Sequence, residues 1–331
     1  MEQASPRRAH THSGDESSMG ARVPAQWKRY CVPQEYERYT DAEHDTWCQL
    51  LGQTSALVKE LSPWLHPAYI EGLESLIRPW SRIPRLVEID AALSTFGWHT
   101  VCVDGYIPPH VYAGMLSRGV FPISRAIRRS KHLDFSPTPD LAHDLLGHVP
   151  MLVSEPHRQF LRRLAGAMAV AQTNAWDHEL YQANRAMGTQ RSAVQRSAAR
   201  LSAAEARVER AHRELARTPS VLTQLGRLYL WSIEFGLMGS SDEFQIYGAG
   251  LLSSPAETRS VCQRGARIRN ISLGVVHRDI QFSDPQTAYF VASDYGHLNQ
   301  ILTSLEAQQA GVAGTRAGLF RTSSTHNETA R

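Results

Sequence analysis

Two histidines constrain this chain more than anything else in it. His143 and His148 stand five residues apart in Asp140-Leu141-Ala142-His143-Asp144-Leu145-Leu146-Gly147-His148-Val149-Pro150, an apolar run with carboxylates at Asp140 and Asp144. Neutral imidazole is the commonest protein ligand for a transition metal. Two such donors, one carboxylate and open positions make the facial triad of non-haem Fe(II) oxygenases. The spacing resists a regular helix. At 3.6 residues per turn, positions i and i+5 point roughly 140° apart, whereas i and i+4 share a face. Both imidazoles reach one ion only if the helix is distorted near Gly147 or the side chains reach around it. Ordinary polar histidines on a helix are the competing reading of the spacing alone.

The 331 residues leave room for one large domain or two ordinary ones. Apolar residues at 42% and charged residues at 20% fit a globular chain. No apolar run nears the ~20 residues that cross a bilayer, so no membrane partner is expected. A net charge of +3, spread along the chain without an aromatic-interleaved basic patch, gives no nucleic-acid surface. Cys31, Cys48, Cys102 and Cys262 lack CxxC spacing. They exclude a zinc ribbon or a disulfide framework and fit free thiols in a reducing cytoplasm, which also suits Fe(II). Residues 1–24 are polar, without the apolar core of a secretory signal, and are expected to be a disordered tail. Residues 311–331 are expected to be another, leaving 25–310 as the folded unit.

Within that unit, Thr40 followed by Glu43 reads as a capping box opening a helix, continued by Leu50, Leu51 and Leu57. Segments 66–78 and 83–96 predict two more helices, and Thr100–Val103 a short strand. Residues 175–217 are rich in Ala, Arg and Gln. There Val194, Leu201, Val208 and Leu215 recur every seven residues, with Ser197, Ala204 and Ala211 between them. This narrow seam predicts a long helix or one half of a helical hairpin. Its partner is a helix of the same chain or of a second subunit, the latter giving self-association through 194–215. Glu205, Glu209 and Glu214 interrupt Arg191, Arg196, Arg200, Arg207 and Arg210, so the outer face reads as solvated rather than DNA-binding.

The longer wording around the histidines, from Pro139 to Pro150, resembles the signature of the pterin-dependent aromatic amino acid hydroxylases. Two later segments resemble the same family in its order. Leu228-Tyr229-Leu230-Trp231-Ser232-Ile233-Glu234-Phe235-Gly236-Leu237 matches the helix that carries the family's glutamate ligand, and Tyr247-Gly248-Ala249-Gly250-Leu251-Leu252-Ser253-Ser254 matches a further motif. The resemblance covers roughly residues 35–300 without the insertion. It implies a mainly α catalytic domain with a few short β-strands, an aromatic amino acid hydroxylase-like fold into which 175–217 is inserted.

The resemblance also implies a site. His143, His148 and Glu234 would hold Fe(II), with tetrahydropterin and O2 as the other reactants. Glu234, between Ile233 and Phe235, sits where a buried charge needs a cation. Arg128 falls on the family's substrate-carboxylate arginine, whose planar fork suits a bidentate partner, and Asp140 on the aspartate that orients it. Ser136, Leu230, Phe235 and Ser253 complete the substrate side, with Ser253 also supporting the first histidine. The loop Gly105-Tyr106-Ile107 lies on the pterin-binding segment, Tyr112 on the aromatic that stacks against the ring, and Asp144 on an acidic position near the pterin. Two departures stand out: Thr138 replaces a family glutamate, and Leu230 replaces an aromatic on the substrate side. Free L-phenylalanine is the first expected substrate, giving para- or meta-tyrosine, with tryptophan and tyrosine as alternatives. A catalytically inactive metal-binding relative acting as a partner-binding module, and a zinc hydrolase, are competing readings.

Overall fold

The computed structural model describes residues 22–77, 81–130, 133, 140–192, 197–263, 266–280 and 286–324. Helix α1 (Asp41–Leu61) opens where expected. Thr40 Oγ1 accepts from the Glu43 amide at 3.3 Å, and the Glu43 carboxylate accepts from the Thr40 amide at 2.8 Å, closing the capping box. Its inward face buries Trp47, Leu50 and Leu57. Helices α2 (Pro67–Leu76) and α3 (Leu86–Ser94) follow inside the segments expected to be helical.

Strand β1 (His99–Val103) pairs in parallel with β2 (Val120–Ser124), His99 opposite Val120, and α4 (Pro109–Leu116) connects them. A second sheet has the order β4-β3-β6-β5, with β3 (Gly236–Gly239), β4 (Phe244–Ile246), β5 (Ile268–Asn270) and β6 (Tyr289–Ala292). In it β3 runs antiparallel to β4 and parallel to β6. Helix α5 (Glu155–Ala169) crosses the core and buries Phe160, Leu161 and Leu164. One apolar cluster runs from Trp47 and Trp98 through Phe121 to Phe290, and the histidine segment is embedded in it.

The insertion is a hairpin. Helix α6 (Ala175–Ser192) packs against α7 (Ala198–Arg217). Ala204, Ala211 and Leu215 of the seam are buried, as are Ala183 and Met187 of α6. The seam's partner is thus present within the chain, whereas Val194 lies outside the described residues. Asp177 ties down the base by accepting from the hydroxyls of Ser220 at 3.0 Å and Thr223 at 2.9 Å. These residues begin helix α8 (Val221–Tyr229). Helix α9 (Pro255–Cys262) follows the second motif.

The described residues run a little past both expected boundaries. Val23 is buried in the core and Arg22 pairs with Asp90 at 3.3 Å, so the folded unit starts before residue 25. At the other end, the terminal helix α10 runs Tyr295–Ser324, past the expected boundary at 311. No helix among the described residues is long and apolar enough to cross a membrane.

Candidate active site

The awkward five-residue spacing is resolved by the backbone. After one α-helical turn at Leu141–His143, residues Asp144–His148 adopt a π-helix. Its i→i+5 bonding, with the Val149 amide donating to the Asp144 carbonyl, widens the turn and brings positions five apart onto one face. The distortion falls at Gly147. A Cβ there would stand 2.7 Å from the Ala249 carbonyl oxygen, so only glycine lets the widened turn sit against the second motif. The carboxylate is delivered in the same way. Helix α8 passes into a second π-helical turn, Leu230–Glu234, closed by the Phe235 amide donating to the Leu230 carbonyl at 2.9 Å. Gly248 lies against this turn, where a Cβ would meet the Glu234 carbonyl oxygen at 2.4 Å.

These turns aim three donors at one point. His143 Nε2 lies 3.1 Å from His148 Nε2 and 3.5 Å from Glu234 Oε2, and His148 Nε2 lies 3.1 Å from Glu234 Oε1. Two ligands held at right angles on bonds of about 2.1 Å stand about 3 Å apart. The donor atoms of the three residues therefore have nearly the spacing of one face of an octahedron, and the group could hold a metal ion. The Nδ1 of His143 is 2.8 Å from Ser253 Oγ. With that nitrogen carrying the proton, Nε2 presents its lone pair inward.

The electrostatics favour the same occupant. Burial holds the His143 imidazolium down, to a pKa of about 4, despite the nearby Glu234 carboxylate, so the ring is neutral at pH 7. Burial by itself would push Glu234 up. The two imidazoles and the Gly250 amide overcome it and lower the carboxyl to about 2. The His148 imidazolium also loses solvation, but the carboxylates of Glu234 and Asp144 more than compensate and raise its pKa. An ionised carboxylate among neutral or readily deprotonated imidazoles is the donor set of a divalent transition metal.

Around this centre, Asp140 serves two neighbours. Its Oδ2 accepts from the Arg128 amide at 2.6 Å and Nε at 3.0 Å. Its Oδ1 accepts from a terminal guanidinium nitrogen at 2.8 Å and from the His143 amide at 2.9 Å. One buried carboxylate thus orients Arg128 and caps the turn carrying the first histidine. Arg128 also donates to the Ser253 carbonyl at 3.4 Å. Asp144 is buried and accepts from the Ser124 amide at 2.7 Å. Burial pushes its carboxyl up to about 7.

Tyr112 Oη is 3.2 Å from Tyr229 Oη, and its ring packs edge-on to Phe121, which lies 5.2 Å from the His148 ring. Gly105 takes φ +66°, a left-handed conformation glycine adopts without strain. Tyr106 and Ile107 are half-buried, as are Leu230 and Phe235 beside the ligand glutamate. Ser136 and Thr138 lie outside the described residues. Ser124, Phe121, Tyr229 and Gly250 were not singled out from the sequence as site residues. The first and last act through backbone amides, which no residue type announces, and the two aromatics look like ordinary core.

The site's donor set, two imidazoles and one carboxylate with room for other ligands, is that of a mononuclear metal enzyme. A family model described as biopterin-dependent aromatic amino acid hydroxylase matches residues 18–181 and 211–308, and the chain belongs to that family. The match omits 182–210, narrower than the insertion expected at 175–217. The chain is 27% identical over 292 residues to phenylalanine-4-hydroxylase of Caulobacter vibrioides, covering 87% of this chain and 83% of that one. It is 30% identical over 221 residues to phenylalanine-4-hydroxylase of Pseudomonas aeruginosa, covering 66% of each. Its fold matches the crystal structure of Chromobacterium violaceum phenylalanine hydroxylase with bound iron(III) and 7,8-dihydrobiopterin. The TM-score is 0.65 at 24% identity, over 89% of this chain and 92% of that one.

Proposed function

We propose that this chain hydroxylates the ring of free L-phenylalanine, using Fe(II), a tetrahydropterin and O2. The carrying observation is the convergence of His143, His148 and Glu234 with their donor atoms within 4.8 Å. Bound together, iron and reduced pterin supply the oxidation, the pterin giving two electrons and taking one oxygen atom of O2 while the other enters the aromatic ring.

The protein's own part is positioning. Ser253 fixes the ring of His143, and the Gly250 amide steadies Glu234. Arg128, locked by Asp140, presents its remaining donors to the substrate carboxylate. Leu230 and Phe235 face the substrate ring. Gly105 and Ile107 offer backbone groups to the pterin edge, Tyr112 its ring face, and Asp144 a water-bridged contact. The buried aromatics around His148 and Glu234 keep bulk water from the oxidant. Four free cysteines fit the reducing cytoplasm expected for it.

Para hydroxylation follows the relatives. Leu230, where the family pattern has an aromatic, adds volume beside the substrate and makes meta hydroxylation the specific competitor. Anaerobic loading with Fe(II), then addition of tetrahydropterin, O2 and each aromatic amino acid separately, tests the reading. Tyrosine formed from phenylalanine with matching pterin oxidation is expected, and chromatography distinguishes para from meta product. Iron binding without pterin oxidation on any of the three amino acids would overturn it.

A further inference from the structure

The added hairpin does not stand clear of the active site. The notional Cβ of Gly188, near the outer end of α6, lies 3.5 Å from Tyr106 Cδ2 and 3.8 Å from Cε2. The tyrosine ring therefore lies over the helix at Gly188, close enough that a methyl group there would touch it. Arg191, one turn further on, is close enough to favour the Tyr106 phenolate, against the burial that pushes the phenol up. Arg191 is itself held by Glu205 of α7 at 3.3 Å. The hairpin is stiffened at its outer end by the Ser197 amide donating to Gln190 at 3.4 Å and nearer its base by the Arg207–Glu179 pair at 2.7 Å. Its base is bolted to the core through Arg227 of α8, which donates to the Leu215 carbonyl at 3.4 Å and to the Val276 carbonyl at 3.0 Å.

Tyr106 is the middle of the loop between β1 and α4. The front of that loop is held by Arg125, which donates to Asp104 at 2.5 Å. Gly105, in between, has a left-handed φ and is exposed. A loop with such a pivot needs a second fixed point, and the contact with α6 provides one.

We propose that the α6–α7 hairpin is a brace on the cofactor loop: by seating Tyr106 against Gly188 it holds Gly105–Ile107 in the conformation that receives a reduced pterin. It thereby sets affinity for the pterin and not for iron or the amino acid. This rests on the reading of residues 105–107 as pterin-binding.

The test compares Gly188→Leu with Gly188→Ala. Alanine's Cβ fits at 3.5 Å, so that variant keeps wild-type behaviour, whereas leucine displaces the Tyr106 ring. Calorimetric binding of 7,8-dihydrobiopterin and amide hydrogen exchange over residues 104–107 are the primary readouts. Iron content and the phenylalanine KM are the controls. G188L is expected to weaken pterin binding tenfold or more and to speed exchange in the loop, with iron content and phenylalanine KM within twofold of wild type. Unchanged pterin affinity and exchange in G188L overturn the brace while leaving the hydroxylase reading intact. Loss of iron and a raised phenylalanine KM alongside the pterin defect also overturn it, because the hairpin would then support the whole site. A wild-type protein that binds iron but no dihydrobiopterin overturns the cofactor reading and the brace with it.

Discussion

His157 shows how much a single buried group can decide. It sits on α5, its Nδ1 2.9 Å from the Tyr295 hydroxyl and its ring edge-on to Tyr247 and Tyr295. Burial, reinforced by the positive fields of His148, His66 and Arg158, holds its imidazolium down to a pKa of about 3. In the unfolded chain the same ring titrates near 6.5. The stabilisation from keeping it neutral is therefore fully present above about 6.5. It is lost progressively as pH falls towards 3, because only the unfolded state gains the proton. His157→Gln, which keeps a hydrogen-bonding group but cannot charge, should flatten the fall of Tm between pH 7 and pH 4. Parallel melting curves for the two proteins would show that other groups govern acid unfolding.

At the scale of elements, two π-helical turns do what regular helices cannot. Each delivers a ligand at the end of a widened turn, and each is pressed against the glycine-containing motif at 247–254. The tolerance of that packing is small. Gly147→Ala puts a methyl 2.7 Å from the Ala249 carbonyl oxygen, and overpacking of this kind costs about 1–3 kcal/mol. The widened turn is the part able to give way, so the variant should melt lower and bind Fe(II) more weakly, by roughly tenfold for each ~1.4 kcal/mol transferred to the site. A variant that melts lower but titrates with Fe(II) as wild type does would show that the turn keeps its shape without the contact.

For the whole molecule, a metal ion held by His143, His148 and Glu234 would be a cross-link between distant parts of the chain. His143 and His148 follow the β1-α4-β2 unit, and Glu234 lies beyond the inserted hairpin at the entrance to the second sheet. A ligand that binds only the folded state stabilises it by about 2.7 kcal/mol at a hundred times its Kd. In a domain of this size that corresponds to roughly 4 °C in Tm. Anaerobic calorimetry should show such a rise on adding Fe(II) to the wild-type protein and none for Glu234→Ala. An equal rise in both would place the ion elsewhere.

Residue type and spacing alone announced His143 and His148, the capping box at Thr40, and a seam at 194–215 that wanted a partner. These are properties of side-chain type and spacing, and they survive without coordinates. Spacing could not show how His143 and His148 share an ion, because a π-helical turn has no sequence signature beyond the glycine that permits it. Nor could it show that Asp140 serves both Arg128 and the His143 turn, since that needs β2 and the histidine segment side by side. The packing of α6 against the seam, and the placing of Tyr106 over Gly188, were likewise tertiary decisions. A heptad states only that an apolar stripe must be covered, whereas packing decides what covers it.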